Sequence, residues 1–308
     1  MTIAPYLTYQ DILARGNTGV TASLPTPFRT IQYGKALDQI GQLWLPDFAS
    51  TEVVTKANTS KKYPVVILIH GGCWRSVYPG PELVVYLAEA LASRGIAVWS
   101  ISYRRINDAS TLHLGDKLTN NFPPYPNIFL DVACAADMLH QLADHYPLDL
   151  SRVVTTGHSA GGHLAMWLAA RKKLPRTSAL YAANPLAIYA TIGIAALPDL
   201  AYARDTTVAA CGEDTVNLLI DYETRGEAGF SDTSVAALLP LGVKQILISA
   251  AEDEVATPAH AERYARAALL KNETVELLTL DNTGHFELIA PWTPAGQCVV
   301  DTIVAAFN

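Results

Sequence analysis

Short apolar runs alternate with longer stretches of mixed polarity along most of this 308-residue chain. Runs dense in Val, Ile and Leu predict buried strands at residues 65–69, 96–101, 153–156, 189–195, 245–249 and 275–280. Helix-length segments separate or follow them at residues 81–93, 128–145, 160–171, 258–270 and 294–307. Because the runs are apolar throughout rather than at every second position, they predict an α/β fold with a mostly parallel central sheet and helices on both faces.

The remaining segments are interpreted as additions to one domain that covers residues 1–308. Residues 31–33 and 42–45 could add antiparallel strands at one edge of the sheet, whereas residues 1–30 read as an irregular N-terminal segment that could wrap the body or cover the site. Residues 107–127 and 198–239 interrupt the alternation. Insertions of this kind become loops or a small lid, and residues 198–239 are the candidate lid insertion.

Composition and charge narrow the function classes. The net charge of −7 comes without a cluster of Lys or Arg, which argues against nucleic acid as a partner and favours a small, neutral or mildly polar substrate. The longest apolar stretch, around residues 188–197, is too short to span a bilayer, so no membrane anchor is expected. No basic stretch leads into an apolar run at the N-terminus, so a secretory signal is not expected and the predicted compartment is the cytoplasm.

The four cysteines, Cys73, Cys134, Cys211 and Cys298, are widely scattered and form no C-x-x-C pair. This spacing favours free and mostly buried thiols over a disulfide framework or a metal site. Neither a zinc-binding H-E-x-x-H nor a glycine-rich dinucleotide or phosphate loop is present. The sequence therefore predicts no metal and no cofactor.

The strongest chemical signal is Gly157-His158-Ser159-Ala160-Gly161, which follows a predicted strand and opens a predicted helix. This G-x-S-x-G segment in a strand-turn-helix context is typical of a nucleophile elbow, in which small flanking residues make room for a sharp turn. The alternative is a chance Gly and Ser turn. We take Ser159 as the candidate nucleophile.

A second glycine-rich segment, His70-Gly71-Gly72-Cys73-Trp74, directly follows the strand at 65–69. An attacked carbonyl becomes an oxyanion, which needs backbone N–H donors at close range, and glycines allow that approach. Gly72 and Cys73 are the candidate donors in this segment, and the N–H of Ala160 is the third. A plain glycine turn is the alternative. A free thiol on Cys73 would make activity sensitive to bulky thiol reagents.

A serine hydroxyl needs a base, and His285 stands where that base is expected, after the last strand and before the last helix. Asp253, which follows the strand at 245–249, is the preferred acid to orient the histidine. Three other carboxylates remain open as rivals for this role, namely Glu252, Glu254 and Asp281.

With these motifs in place, the chain from about residue 31 onward resembles the α/β-hydrolase superfamily. The H-G-G-x-W loop, the G-H-S-A-G-G-H-L-A elbow and the pair Tyr103-Arg104 are similar to the arylformamidase and related carboxylesterase branch. The resemblance implies hydrolysis of a short ester or of a formyl or aryl amide by a serine triad without a cofactor. Secreted feruloyl and acetyl xylan esterases carry similar motifs, but the expected lack of a signal makes a cell-wall substrate less attractive.

The sequence leaves several alternatives open. Trp74 and Phe286 are candidate substrate-binding residues, as are Phe122 and Tyr125, although each could equally belong to the core. A peptidase similar to prolyl oligopeptidases shares the triad, but only about 60 residues precede the first central strand here. A non-catalytic binding protein of the same fold is a further alternative. A homodimer would be unsurprising for the family.

Overall fold

A computed structural model describes residues 6–15, 24–46, 61–107 and 123–308. These residues contain one eight-stranded sheet in the order β1-β2-β4-β3-β5-β6-β7-β8. Its strands are β1 Arg29–Gln32, β2 Ile40–Trp44, β3 Tyr63–Ile69, β4 Ala97–Ile101, β5 Leu148–His158, β6 Ala190–Ile194, β7 Lys244–Ala250 and β8 Glu276–Leu280. The first two strands pair antiparallel, and β2 also runs antiparallel to β4. All other pairs are parallel.

The helices of the described residues are short to medium in length. They are α1 Tyr9–Ala14, α2 Val85–Ser93, α3 Pro124–Asp137, α4 Leu139–His145, α5 Ala160–Ala170, α6 Leu200–Thr206, α7 Val208–Cys211, α8 Thr215–Ile220, α9 Tyr222–Arg225, α10 Pro258–Leu269 and α11 Pro294–Ala305. Within the ranges that the structure describes, no helix is both long enough and apolar enough to cross a bilayer.

The direction of each crossover places helices on both faces of the sheet. Right-handed connections put a helix on one face when the chain moves one way across the sheet and on the opposite face when it moves the other way. The connection through α2 runs from β3 to β4, whereas those through α3, α5 and α10 run in the opposite direction across the sheet. The last helix, α11, packs against α2. The predicted α/β architecture is confirmed.

The central strands are buried on both faces, as their composition requires. Every residue of β4 and of β6 is buried, and β3 is buried except at Pro64. Two indoles fix the helices that cover the sheet: Trp99 Nε1 donates to the carbonyl oxygen of Ala135 at 2.8 Å, and Trp167 Nε1 donates to that of Asp232 at 2.8 Å. Both indole N–H groups therefore find backbone partners in the core.

The predicted edge strands are present as β1 and β2, but two other segments differ from their interpretation. Residues 9–14, within the segment read as irregular, form α1, whose N-cap Thr8 makes a capping box with Asp11. Residues 124–127 belong to α3 rather than to a loop, with non-helical backbone angles at Tyr125. Residues 108–122, including Phe122, lie outside the described residues.

Residues 198–239 form an insertion between β6 and β7, built from α6 to α9 and short 3-10 turns and without a strand. One buried carboxylate anchors the insertion to the body. Asp232 accepts hydrogen bonds from Tyr125 Oη at 3.0 Å, Ser178 Oγ at 2.6 Å and Arg225 Nη2 at 2.7 Å. The insertion therefore packs on the face of the sheet that carries α3 and α5. Its role as a mobile lid stays a prediction.

The candidate site residues all follow the C-terminal ends of parallel strands. His70 to Trp74 follow β3, Ser159 follows β5, Asp253 follows β7 and His285 follows β8. Such ends meet along one edge of an open α/β sheet, which is where these folds bind ligands.

Candidate active site

Ser159 sits at a sharp turn between β5 and α5. Its φ of 55° lies in the left-handed region, where a residue with a side chain is strained. The Ser159 N–H donates to the carbonyl oxygen of Ile194 at 2.9 Å, which holds this backbone in place. The side chain makes no capping hydrogen bond to α5, so the hydroxyl is not used to terminate the helix. The local geometry matches a nucleophile elbow.

The glycines around Ser159 are required by close backbone approach. A Cβ on Gly157 would collide with the carbonyl oxygen of Gly161, and one on Gly161 would collide with the carbonyl oxygens of Ile69 and His70. The elbow is therefore pressed directly against the segment that follows β3. This contact brings the candidate nucleophile and the candidate oxyanion loop together.

The loop after β3 reverses through three consecutive residues with positive φ, which are Gly72 at 102°, Cys73 at 50° and Trp74 at 55°. The Arg75 N–H donates to the Gly72 carbonyl oxygen at 2.8 Å and closes the turn. Within the described residues, no acceptor pairs with the N–H groups of Gly72 and Cys73. Ala160 is the buried first residue of α5, where a backbone N–H lacks an intrahelical partner. These N–H groups can serve an anionic oxygen.

A stacked pair of buried aromatic rings supports the first residue of this loop. The rings of His70 and Tyr103 stack with their centroids 4.7 Å apart, and Tyr103 Oη donates to the His70 carbonyl oxygen at 3.2 Å. Burial, and next the charge of Arg105, lower the pKa of His70 to about 3, against the hydrogen bond to Gly71. His70 is therefore neutral near pH 7, and its role is to support the loop.

His285 and Asp253 form the other half of the site. His285 Nδ1 lies 2.6 Å from Asp253 Oδ2, and Asp253 Oδ1 accepts the backbone N–H groups of Val255 and Ala256 at 2.8 and 2.9 Å. Burial raises the pKa of Asp253. The hydrogen bond and charge of His285 and the two N–H donors outweigh burial, so that this pKa lies below its usual value. Asp253 is thus an ionised carboxylate that fixes the imidazole ring.

The three rival carboxylates lie elsewhere. Glu252, Glu254 and Asp281 are exposed, and among the described carboxylates only Asp253 contacts His285. Asp253 itself is 3% exposed. Burial beside the histidine is what separates it from its neighbours, and sequence order alone could not supply that distinction.

A cavity of about 210 Å³ joins these groups. Ser159, His285, Gly72 and Cys73 line it, and much of the remaining wall comes from Tyr9, Tyr78, Leu83, Val255 and Phe286. The wall is thus largely apolar around a small set of polar groups, which is the usual character of a small-molecule site. Phe286 lies on the cavity, as its candidate role requires.

Neither Trp74 nor Tyr125 lines the cavity that contains Ser159. For Trp74 the substrate-binding prediction is wrong. Trp74 is fully buried, and its indole meets the ring of His163 edge-on at 5.4 Å. The backbone reversal at Cys73 and Trp74 leaves this side chain in the core rather than on the cavity. Tyr125 lines a separate cavity of about 420 Å³.

Tyr9 of α1 is a cavity residue that the sequence reasoning missed. Its ring meets those of Tyr78 and Phe286 edge-on, at 6.3 and 6.2 Å between centroids. The Arg15 guanidinium lies over the Trp292 ring at 4.0 Å and holds the other end of the helix. The six-residue helix carried no signal for this placement, because the placement depends on contacts with distant parts of the chain.

Cys73 and Cys211 form a disulfide with a Cα–Cα distance of 5.4 Å. The prediction that all four cysteines are free is therefore wrong, and so is that of a reactive thiol on Cys73. The two cysteines are 138 residues apart, and only the fold brings the candidate oxyanion loop beside α7. The free cysteines differ from the expected burial as well, since Cys134 is exposed and Cys298 is half-buried.

Two hydrogen bonds join the same parts of the structure as the disulfide. Tyr78 Oη donates to the Ala210 carbonyl oxygen at 2.8 Å, and Arg75 Nη1 donates to Thr215 Oγ1 at 2.8 Å. The loop with the candidate oxyanion donors is thus tied to the insertion at three points.

Comparisons with known proteins agree with this architecture. The chain is similar in structure to an esterase B from Lactobacillus rhamnosis inhibited by a tributyrin phosphonate, with 18% identity, a TM-score of 0.69 and coverage of 97% of this chain and 90% of the other. It is also similar to Thermogutta terrifontis esterase 2 phosphorylated by paraoxon, with 16% identity, a TM-score of 0.64 and coverage of 92% and 93%. No curated protein matches the chain.

The sheet order, the helix placement and these structural neighbours define an α/β-hydrolase fold. The family model named BD-FAE matches residues 51–233, which is more than half of the chain. The chain belongs to the BD-FAE family.

Proposed function

We propose that this protein is a serine hydrolase that cleaves a small carboxylic ester through an acyl-enzyme on Ser159. The observation that carries the proposal is one small cavity lined by both Ser159 and His285, with His285 hydrogen-bonded to the buried Asp253. The structural neighbours support it, since they are esterases inhibited by a phosphonate and phosphorylated by paraoxon.

In the first half of the reaction, Ser159 Oγ attacks the ester carbonyl and its proton passes to His285. The hydrogen bond to Asp253 assigns the proton of neutral His285 to Nδ1, which leaves Nε2 free to act as the base. The carboxylate then stabilises the imidazolium that forms. When the tetrahedral intermediate collapses, His285 returns the proton to the leaving alcohol and the acyl group stays on Ser159.

The developing oxyanion would be held by the N–H groups of Gly72, Cys73 and Ala160. The first two have no acceptor within the described residues, and the third lies at the N-terminus of α5, where the helix dipole favours negative charge. In the second half, His285 activates a water that attacks the acyl carbonyl, and Ser159 Oγ leaves with the proton.

The size and lining of the cavity favour a short acyl group. A volume of about 210 Å³ lies below the range of roughly 300–1,000 Å³ typical of pockets for drug-sized ligands. A formyl amide of an arylamine is the second candidate, because its one-carbon acyl group needs still less room and the H-G-G-x-W loop resembles that of arylformamidases.

The Cys73–Cys211 disulfide favours an oxidising compartment rather than the cytoplasm, because cytosolic reductants keep thiols reduced. The cytoplasmic prediction stays untested. Intact mass of the purified protein before and after alkylation would count its free thiols, and two are expected among the four cysteines.

The test is a kinetic panel of p-nitrophenyl acetate, butyrate and octanoate together with N-formylkynurenine, with Ser159→Ala as the blank. We expect the short esters to react with kcat/KM in the range of about 10⁴–10⁸ M⁻¹s⁻¹ for a good substrate. A much higher value for N-formylkynurenine than for every ester would assign a formamidase instead. No turnover above the blank would refute the serine hydrolase proposal.

A further inference from the structure

His158 precedes the candidate nucleophile and is a buried histidine for which the reaction has no chemical role. It is 1% exposed and is the last residue of β5. Its Nε2 lies 3.0 Å from the backbone carbonyl oxygen of His285. A carbonyl oxygen only accepts hydrogen bonds, so Nε2 carries the proton and donates it, which leaves Nδ1 as a lone pair.

We propose that His158 is a positioning residue, which holds the backbone of His285 against the nucleophile strand through its Nε2–H donor. This inference rests on the proposed serine hydrolase function. The sheet order places β6 and β7 between β5 and β8, so Ser159 and His285 arrive on loops from strands that do not touch. The bond from His158 joins these two loops directly.

The two hydrogen bonds of His285 hold different parts of the residue. Asp253 binds the ring through Nδ1, whereas His158 binds the backbone of the same residue. The rings of His158 and His285 are also in contact, with centroids 4.3 Å apart, and Phe286 packs against both, at 5.7 and 5.0 Å. Together these contacts fix both the orientation and the location of the base relative to Ser159.

The charge state of His158 is also compatible with a position beside His285. Burial, and next the charge of His285, lower the pKa of His158 to about 3. The hydrogen bond to the His285 carbonyl and the charge of Asp253 act in the opposite direction and are outweighed. His158 is therefore neutral when His285 becomes an imidazolium, so no second cation lies beside the base during the reaction.

The chain offers a matched control in His163, on α5. This histidine is also fully buried, its Nε2 donates to the Thr233 carbonyl oxygen at 2.9 Å, and its pKa is lowered by burial to about 4. Nδ1 of each histidine lacks a partner among the described residues. The two histidines differ in their acceptor, because Thr233 belongs to the insertion and does not line the cavity with Ser159. They also differ in place, since His158 lines that cavity and His163 does not.

The experiment compares two amides that differ by one methylene. The amide of His158→Gln reaches the place of Nε2 and can donate to His285, whereas that of His158→Asn reaches only the place of Nδ1. We expect His158→Asn to lower kcat for p-nitrophenyl butyrate by about tenfold to a hundredfold, with KM within about twofold of the wild type, since a displacement near 1 Å can cost this much. We expect His158→Gln to retain kcat within about threefold.

The pair His163→Asn and His163→Gln is measured in parallel, with the active-site concentration titrated and the melting temperature recorded for each variant. We expect both to keep the wild-type kcat even where stability falls. Equal kcat in His158→Asn and the wild type would overturn the inference, as would a similar loss in both Asn variants. If the wild type hydrolysed the ester no faster than Ser159→Ala, the proposed function would be refuted, and the inference that rests on it would fall as well.

Discussion

The Nδ1 atom of His285 lies 2.6 Å from Oδ2 of Asp253, across two loops that follow neighbouring strands of the sheet. Two backbone N–H groups bind the other oxygen of the same carboxylate, so the acid cannot rotate away from the histidine without losing them. The carboxylate and the ring are thus held together, and His285 lines the cavity with Ser159.

Asp253→Asn is the substitution that tests this pair. The amide keeps the shape of the side chain but can stabilise neither the imidazolium nor the required tautomer. We expect kcat to fall by about 10³–10⁴-fold while the protein stays folded. Glu254→Gln, which neutralises an exposed neighbour in the same loop, is the control and should keep wild-type rates. An Asp253→Asn enzyme within tenfold of the wild type would mean that another group orients His285.

Loss of the disulfide should weaken both stability and activity. Cys211→Ser frees α7 from the oxyanion loop and leaves Cys73 in place. Because the bond closes a loop of more than a hundred residues, we expect the free energy of unfolding to fall by about 2–5 kcal/mol in urea titrations. The ester kcat should fall as well. The backbone of Cys73 has a positive φ, and without the disulfide one of the bonds that hold this conformation is lost.

Cys298→Ser, at a half-buried free cysteine, serves as the control and should match the wild type in stability and rate. Treatment of the wild type with dithiothreitol should lower stability and kcat as the Cys211→Ser substitution does. The same treatment should leave the Cys211→Ser variant unchanged. Unaltered activity of the fully reduced wild type would show that the two hydrogen bonds between the loop and the insertion suffice.

Tyr9 should limit the length of the acyl group. Tyr9→Ala removes one wall of the cavity beside Tyr78 and Phe286. We expect the ratio of kcat/KM for p-nitrophenyl octanoate to that for the acetate to rise on the order of tenfold, because each newly buried methylene contributes about 0.8 kcal/mol. Tyr189→Ala, at an exposed site before β6 at the opposite edge of the sheet, should not change this ratio. An unchanged ratio in Tyr9→Ala would assign the limit to other residues.

Four buried histidines predict a loss of stability in acid. Burial is the main cause that lowers the pKa from 6.5 to about 3 for His70 and His158, and to about 4 for His163 and His260. These residues stay neutral in the folded state, whereas the unfolded chain binds protons below about pH 6.5. The free energy of unfolding therefore falls as the pH drops from 6.5 toward 4, by about 1.4 kcal/mol per pH unit for each histidine.

Urea unfolding between pH 4.5 and 7.5 measures this slope. His163→Gln should reduce it by about 1.4 kcal/mol per pH unit, whatever the variant does to stability at pH 7. An identical slope in His163→Gln and the wild type would show that His163 is protonated in the folded protein.

The features that the sequence predicted correctly are those written locally in the chain. The apolar runs predict β3 to β8, and the need for glycine at position 157 follows from a collision with Gly161 within one turn of strand and helix. Chain order was enough to place His285 and Asp253 on loops at the same edge of the sheet. The contact between these two residues and the exclusion of the neighbouring carboxylates required the fold.

The features that were missed depend on tertiary contact. Cys73 and Cys211 meet only because the insertion packs against the candidate oxyanion loop. Tyr9 reaches the cavity because α1 packs on Tyr78 and Phe286. Trp74 was assigned to the cavity from its place in the H-G-G-x-W loop, yet a backbone reversal puts its indole in the core against His163.

Covalent labelling of Ser159 tests most directly whether this residue is the nucleophile. The enzyme would be inactivated with a p-nitrophenyl alkylphosphonate, and the modified residue located by peptide mass spectrometry. If Ser159 is the nucleophile, one equivalent of p-nitrophenol is released, one phosphonyl group is found on Ser159, and Ser159→Ala is not labelled. Ester turnover by Ser159→Ala at the wild-type rate, or a label on another residue with full loss of activity, would contradict this role of Ser159.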